Sequence, residues 1–167
     1  MDQPPLGSCL SSPPHLRNLE LLDVDVIYDY RNNEACNRYQ RWEDFEKEDI
    51  ALFIQRFQKD VFLSTKEEQH YAICLNEDGT LVGELAYFYT PGDCIRLGIS
   101  ISYNHHHKGY AFEMLQDVIK CIREKYPNMD IVGLIEKENC NSIKLFEKLG
   151  FVQECYAESI QSYVYVL

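Results

Sequence analysis

A loop between a predicted strand and a predicted helix carries the residues best suited to bind an anion. Gly109 and the small Ala111 allow the backbone to approach a ligand closely, and Lys108 adds positive charge. The first N–H groups of a helix have no partner within the helix, and the helix dipole is positive at that end. The junction therefore predicts a site for a pyrophosphate-type anion that contains His106, His107, Lys108, Gly109, Tyr110 and Ala111. An ordinary strand-to-helix turn, in which glycine serves only the geometry, is the alternative.

Three consecutive histidines in this loop raise the question of a metal site. Consecutive side chains in a turn point in different directions, and no carboxylate or cysteine stands at ligand spacing beside His105, His106 and His107. We therefore expect no metal ion, with a metal-dependent hydrolase built on these histidines as a competing hypothesis.

The charge balance limits the kinds of partner. The chain has 167 residues, with 27 acidic against 16 basic side chains and a net charge of −11. A duplex nucleic-acid binder needs a basic face and a polybasic membrane anchor needs a basic cluster, so we expect neither nucleic acid nor membrane as a partner. No apolar stretch approaches the ~18 residues that a membrane span requires. The acidic surface favours a cationic partner or serves only solubility.

The cysteine pattern indicates a reducing compartment. The seven cysteines are odd in number and none has CxxC spacing, which argues against a disulfide framework and against a structural zinc site. No apolar signal segment follows Asp2. We therefore expect free thiols and a cytoplasmic localisation.

Hydrophobic periodicity predicts the elements that position the loop. A flexible tail over residues 1–15, rich in Pro, Ser and Gly, precedes a single domain over residues 16–167. The predicted order is a strand, two helices, three antiparallel strands, a helix, a strand, a helix and a strand, which is an α+β sheet with helices on its faces. The predicted spans are a strand over 19–22, helices opened by Asp23 and by Asp44 or Phe45, strands over 71–75, 81–89 and 94–103, a helix over 109–125, a strand over 131–135, a helix from Asn141 or Ser142 to Leu149, and a strand over 162–167.

A second motif carries a family resemblance. Residues 139–151 read N-x-x-S-x-x-L-F-x-x-x-G-F and resemble the second CoA motif of the GNAT superfamily of acetyl-CoA-dependent N-acetyltransferases. Residues 106–111 resemble its first motif, (Q/R)-x-x-G-x-(G/A), and one helix and one strand separate the two motifs, as in the superfamily. Residues 30–34 and 38–42 further resemble the branch that includes the RimJ/RimL-like ribosomal-protein N-terminal acetyltransferases. The resemblance implies a GNAT-like mixed, mostly antiparallel central sheet with helices on both faces.

The resemblance also implies that acetyl-CoA is the acetyl donor and indicates which residues bind it. In the family, the strand before the loop pairs its backbone with the pantetheine arm, and a backbone N–H near Ile99 would hold the oxyanion. The implied CoA-binding residues outside the loop are Ile99, Ser100, Ile101, Asn139, Ser142 and Phe146.

Two departures from the family pattern affect the expected chemistry. His106 stands where Gln or Arg is usual, so CoA binding is expected to be weaker or pH-sensitive. Phe146 stands where many members have the tyrosine proposed as general acid. Ser142 matches a serine proposed as the acid in the RimL-like branch, or it belongs to the helix cap.

Glu84, which lies between apolar neighbours in the sequence, is the candidate general base. Alternatively, Glu84 is solvated or salt-bridged, or a chain of water molecules removes the proton.

Aromatic residues are expected to form the acceptor pocket, or else to belong to the core. Trp42, Tyr39 and Tyr87 are the candidates.

The expected function is acetyl transfer to a primary amine, either a protein N-terminus or a small cationic amine, by direct attack through a tetrahedral intermediate. The protein is expected to act as a monomer or homodimer. The alternative is a non-catalytic CoA-binding regulatory protein on the same fold.

Overall fold

A computed structural model of the chain describes residues 14–43 and 45–167. Seven strands occur in this part of the chain: β1 (His15–Asn18), β2 (Glu68–Cys74), β3 (Leu81–Tyr89), β4 (Cys94–Ile101), β5 (Asp130–Ile135), β6 (Val152–Ala157) and β7 (Ser162–Val166). The α-helices of the same part are α1 (Val24–Arg31), α2 (Glu34–Asn37), α3 (Lys47–Phe57), α4 (Tyr110–Lys125) and α5 (Cys140–Lys148). None of these helices is long and apolar enough to cross a membrane.

All seven strands form one sheet in the order β1-β2-β3-β4-β5-β7-β6. Neighbouring strands are antiparallel except β4 and β5, which are parallel. The β4–β5 ladder has only three pairs and ends at Arg96 and Val132. Beyond it, β4 continues beside β3 and β5 continues beside β7, so the sheet divides between its two central strands. The predicted mixed, mostly antiparallel sheet is confirmed.

Helices cover the two faces of the sheet through separate apolar clusters. The stripe of α4, with Leu115, Val118 and Ile122, packs against inward residues of β4 such as Ile95. On the other side, Ile27 of α1 and the apolar residues of α3 pack with Leu19. Complete burial of each large aliphatic side chain contributes roughly 1.5–3 kcal/mol, so these stripes hold the helices on the sheet.

The start of the domain differs from the sequence prediction. Of the predicted tail over residues 1–15, residues 1–13 lie outside the described part, and His15 already belongs to β1. The strand predicted over residues 19–22 is wrong: β1 ends at Asn18, and a 3₁₀ turn follows. Asp23 directly precedes α1 but does not cap it with its side chain, because its carboxylate binds Arg17 and accepts from the Glu20 backbone N–H.

Two short elements were missed by the sequence prediction. Helix α2 follows α1 after Asn32 and Asn33 and is capped by Asn33, whose side chain accepts from the Ala35 N–H at 2.9 Å. Strand β6 is the edge of the sheet, and all of its residues except Ala157 are exposed. It therefore lacks the apolar alternation that identifies a half-buried strand. Helix α3 begins at Lys47, slightly later than predicted, and Asp44 lies outside the described residues.

Candidate active site

A cleft of about 430 Å³ opens where β4 and β5 separate. It is lined by the end of β4, the loop before α4, the first turn of α4, one face of α5, and the segment that begins with α2. The lining includes all of the predicted loop residues His106, His107, Lys108, Gly109, Tyr110 and Ala111, together with Ile99, Ser100, Ile101, Asn139, Ser142 and Tyr39. The fold thus brings most of the predicted site residues together.

The end of β4 presents a free backbone edge to the cleft. Residues 97–101 pair with β3 on one side, and no described strand lies beside them on the other. Unpaired N–H and C=O groups along a strand edge can pair with an extended chain that contains amide groups. This part of the cleft is therefore suited to an extended amide ligand.

The loop geometry supports an anion site at the start of α4. Gly109 has φ +81°, a left-handed conformation that favours glycine, and a Cβ there would meet nothing within 4 Å. None of the described side chains caps α4 at this end. The first N–H groups of a helix have no partner within the helix, and the first residues of α4, Tyr110, Ala111 and Phe112, line the cleft.

His106 holds this loop against the end of β4. Its Nε2–H donates to the Ile101 carbonyl oxygen at 2.7 Å, the ring nitrogen being the donor because a carbonyl only accepts. One of the two ring nitrogens is therefore already used within the protein, and the other remains for the phosphate contact expected from the sequence. His105 is nearby, and burial lowers its pKa. Within residues 14–43 and 45–167, no group of three or more His, Cys, Asp or Glu side chains is arranged to hold a metal ion.

The cleft is positively charged although the chain is strongly acidic. Lys108, Lys144 and Lys148 line it, and none of its described lining residues is Asp or Glu. Lys148 Nζ lies 4.2 Å from the ring centroid of Phe112, so α5 and α4 meet across the cleft. Sequence reasoning missed Lys144 and Lys148. Their i, i+4 spacing within the second motif, which puts both on one helix face, was the available signal.

The first turn of α5 is capped by Asn139. Its Oδ1 accepts from the Ser142 N–H at 3.3 Å, so Asn139 and not Ser142 supplies the capping side chain. The Ser142 side chain lies in the cleft lining. Phe146, predicted to contact CoA, does not line the cleft: it is only 3% exposed and packs on Phe151 with ring centroids 4.8 Å apart. A helical repeat of 3.6 residues places it on the sheet-facing side of α5.

The segment over residues 34–41 crosses the open end of the cleft, and we call it the strap. Cys36 Sγ donates to the Ile101 carbonyl at 3.6 Å on the β4 side. Tyr39 OH donates to the Glu138 carbonyl at 3.2 Å, beyond β5. The Arg41 guanidinium donates to the Ile160 carbonyl before β7. The strap therefore connects both sides of the divided sheet and places Tyr39 in the cleft wall.

Glu84 lies outside the cleft in a buried ion pair. Its Oε1 is 2.6 Å from Arg31 Nη2, and its Oε2 accepts from Tyr30 OH. The Arg31 guanidinium lies between the rings of Phe53, at 4.4 Å, and Trp42, at 5.1 Å. A carboxylate held by a cation and a phenol is poorly suited to take a proton from substrate. The geometry therefore opposes the predicted base and places Trp42 against Arg31, not in the cleft lining.

Tyr87 is also a core residue. It is fully buried, and its ring lies edge-on to Phe62 with centroids 6.0 Å apart. Burial raises the pKa of its phenol. Tyr87, predicted to wall the acceptor pocket, does not line the cleft; like the other odd-numbered positions of β3 near it, it packs on the α4 side of the sheet.

Comparison with known proteins identifies the family. Residues 15–152 match the acetyltransferase (GNAT) domain, so the chain belongs to the GNAT acetyltransferase family and is an acyltransferase. Family membership favours the enzyme over the non-catalytic interpretation.

Individual relatives are distant but similar along most of their length. The uncharacterized N-acetyltransferase YnaD of Bacillus subtilis (strain 168) is 21% identical over 140 residues, which cover 83% of this chain and 79% of YnaD. A GNAT-family acetyltransferase from Bacillus anthracis superimposes with a TM-score of 0.78 at 19% identity, covering 94% of this chain and 95% of that one. A proposed ribosomal-protein-serine acetyltransferase from Vibrio cholerae gives 0.79 at 19% identity, covering 99% of both chains. At these identities the structures support the fold alone.

Proposed function

We propose that the protein transfers an acetyl group from acetyl-CoA to a primary amine. The proposal rests on the charge of the cleft. Three lysines and the uncapped start of α4 line it, and none of its described lining residues is acidic. The chain as a whole, in contrast, has a net charge of −11. A polyanionic ligand is attracted to local positive potential, whatever the net charge of the protein.

The residues of the cleft suit the successive parts of acetyl-CoA. The N–H groups at the start of α4, with Lys108, would hold the diphosphate, and Lys144 and Lys148 would add charge from α5. The free edge of β4 would pair with the amide groups of the pantetheine arm. Asn139 retains its side-chain N–H₂ for the same ligand, because only its Oδ1 is used in capping.

The chemistry is direct attack of the neutral amine on the thioester carbonyl. The N–C bond forms, the carbonyl carries the transient negative charge, and the C–S bond then breaks. A backbone N–H near Ile99, on the free edge of β4, would stabilise the oxyanion. Ser142, in the cleft lining, would donate a proton to the departing thiolate. Because Glu84 is held by Arg31, we assign removal of the amine proton to water in the cleft.

The acceptor is a protein N-terminus, as in the RimJ/RimL-like branch that residues 30–34 and 38–42 resemble, or a small cationic amine. The similar Vibrio cholerae protein is itself a proposed ribosomal-protein-serine acetyltransferase. The six cysteines in the described part of the chain are all free, in keeping with work in the reducing cytoplasm.

A thiol-release assay tests the proposal. Acetyl-CoA is incubated with polyamines, amino acids, aminoglycosides and N-terminal peptides, and free CoA thiol is measured. We expect release with at least one amine; none across the panel, despite tight acetyl-CoA binding, would contradict the assigned reaction.

A matched glycine pair tests the location of the CoA site. Gly109→Glu places a side chain and a negative charge in the anion loop. Gly79→Glu is the control, because Gly79 also has a positive φ (+73°), a Cβ there would also meet nothing within 4 Å, and the residue lies in the β2–β3 turn. Both variants carry the same backbone strain, so only Gly109→Glu is expected to lose acetyl-CoA binding. Equal affinities of the two variants would refute the loop assignment.

A further inference from the structure

A second cavity, of about 330 Å³, lies on the face of the sheet opposite α4. It sits over the last pair of the β4–β5 ladder, Arg96 and Val132, where the two strands begin to separate. Its lining residues are Glu67, Phe88, Tyr89, Thr90, Cys94, Arg96, Val132 and Leu134. The cavity is thus adjacent to the division of the sheet that forms the CoA cleft.

Arg96 is the unusual residue of this cavity. Its guanidinium lies over the ring of Phe88, 3.9 Å from the centroid, and is half-buried. Within the described residues it forms no ion pair and no hydrogen bond, whereas Arg17 and Arg31 each bind a carboxylate. Burial lowers the pKa of Arg96, although the charges of Cys94 and Glu68 partly oppose this effect.

No described carboxylate binds Arg96 directly. Glu67 lines the cavity but is exposed and does not pair with the guanidinium. Glu68 lies within 2.8 Å of His70 Nε2 and acts on Arg96 only through its charge, without an ion pair. A partly desolvated cation without a bound carboxylate is unfavourable, and its planar set of donors matches a carboxylate. The cavity is therefore prepared for an anionic group from outside the chain.

The backbone connects this cation to the proposed reaction centre. Alternation along β4 places Arg96, Gly98 and Ser100 on one face of the strand, and Ser100 lines the CoA cleft. Gly98 leaves the path between them open, since a Cβ there would meet only the Ala86 Cβ, at 3.6 Å. From Arg96 to Ile99 the strand rises about 10 Å.

We propose that Arg96 binds a carboxylate of the acceptor, so that the substrate is an amine carrying a carboxylate on the order of 10 Å from the reacting nitrogen. The inference rests on the proposed acetyl transfer and deepens it. It narrows the acceptor class from cationic amines to amino carboxylates, either free ω-amino acids or short peptides with an acidic group near the N-terminus. The local charge of the cavity, not the net charge of the chain, selects this class.

Matched acceptors isolate the contribution of the carboxylate. 6-Aminohexanoate and n-hexylamine have the same reacting amine but differ in one carboxylate, and the peptides Ser-Gly-Asp-amide and Ser-Gly-Asn-amide form a second pair. The ratio of kcat/KM within each pair is measured by thiol release. For the wild type we expect at least one pair to favour the carboxylate by about tenfold or more, the usual effect of a charge-assisted hydrogen bond. The preferred pair distinguishes a free amino acid from a peptide.

Substitution of Arg96 tests whether it is the residue responsible. Arg96→Gln should reduce the kcat/KM ratio within the preferred pair to about one, and Arg96→Lys should retain part of the preference. The acetyl-CoA affinity of both variants, which reports correct folding, should stay unchanged. The control is Arg56→Gln, because Arg56 also lies over a ring, that of Phe57 at 5.7 Å, but is exposed on α3.

The outcomes separate the two proposals. If amines are acetylated with no preference for the carboxylate, or if Arg96→Gln leaves the preference intact, the role of Arg96 is overturned and acetyl transfer stands. If no amine releases thiol, the proposed reaction fails and the acceptor assignment fails with it.

Discussion

Gly133 offers a quantitative test of how α5 is held against the sheet. It lies in β5 beneath the ring of Phe146, and a Cβ there would be 2.3 Å from Cε1 and 2.7 Å from Cδ1 of that ring. Carbon atoms in contact prefer roughly 3.5–4.0 Å, so Gly133→Ala must displace the ring by more than about 1 Å. Phe146 is buried against Phe151 and has little space to move. We expect a loss of about 1–3 kcal/mol in the free energy of unfolding.

Gly98→Ala is the matched control for this substitution. Its Cβ would meet only the Ala86 Cβ at 3.6 Å, an ordinary contact, and replacing Gly by Ala in a compatible conformation stabilises by about 0.4–1 kcal/mol. Urea unfolding followed by the fluorescence of Trp42, the single tryptophan, measures both variants. Adding Phe146→Leu to Gly133→Ala should restore part of the lost stability. Equal unfolding free energies for the two alanine variants would refute the packing argument.

Three further predictions concern charge. Lys144→Gln and Lys148→Gln should each weaken acetyl-CoA binding about three- to tenfold in calorimetry at low salt, with a smaller effect at high salt. An acetyl-CoA affinity that neither substitution changes would contradict a role of α5 in the CoA site. Glu84→Gln should lower the free energy of unfolding by about 3–5 kcal/mol, because it removes the carboxylate that binds the buried Arg31 guanidinium; a large loss of turnover at unchanged stability would instead restore Glu84 as the base. Burial lowers the pKa of His70, so the unfolded state takes up a proton first as the pH falls below about 6.5. The free energy of unfolding should then decline with a slope of at most about 1.4 kcal/mol per pH unit. In urea unfolding at pH 7.5 and 5.5, the free energy of unfolding of His70→Phe should decline less than that of the wild type.

Local patterns in the sequence predicted the elements that carry strong periodicity. Strand β3 begins and ends where its alternation and flanking turns predict, and α4 coincides with its apolar stripe. The glycine of the anion loop was identified because a strand, a loop and a helix follow one another in sequence. Strand β6 was missed because its exposed residues lack a period, and α2 because one turn of helix carries too few residues to show one.

The division of the sheet was not predictable from these patterns. The alternation of β4 is the same on both sides of Arg96, yet only its first part pairs with β5. The parallel strands β4 and β5 are connected by a crossover through α4. Their pairing therefore depends on contacts between residues far apart in the sequence, which local residue spacing does not reveal.

The sequence by itself determined the family, the order of the main elements and the position of the glycine loop before α4, because these depend on spacing between near neighbours. Only the tertiary structure decided which charges are neutralised. Glu84, which the sequence suggests as a base, is held by Arg31 from α1, whereas Arg96 on the next strand pairs with no carboxylate of the described residues. The physical reason is that an ion pair requires two groups to be brought within a few ångströms, and for residues this far apart in the chain only the packing of helices on the sheet does so.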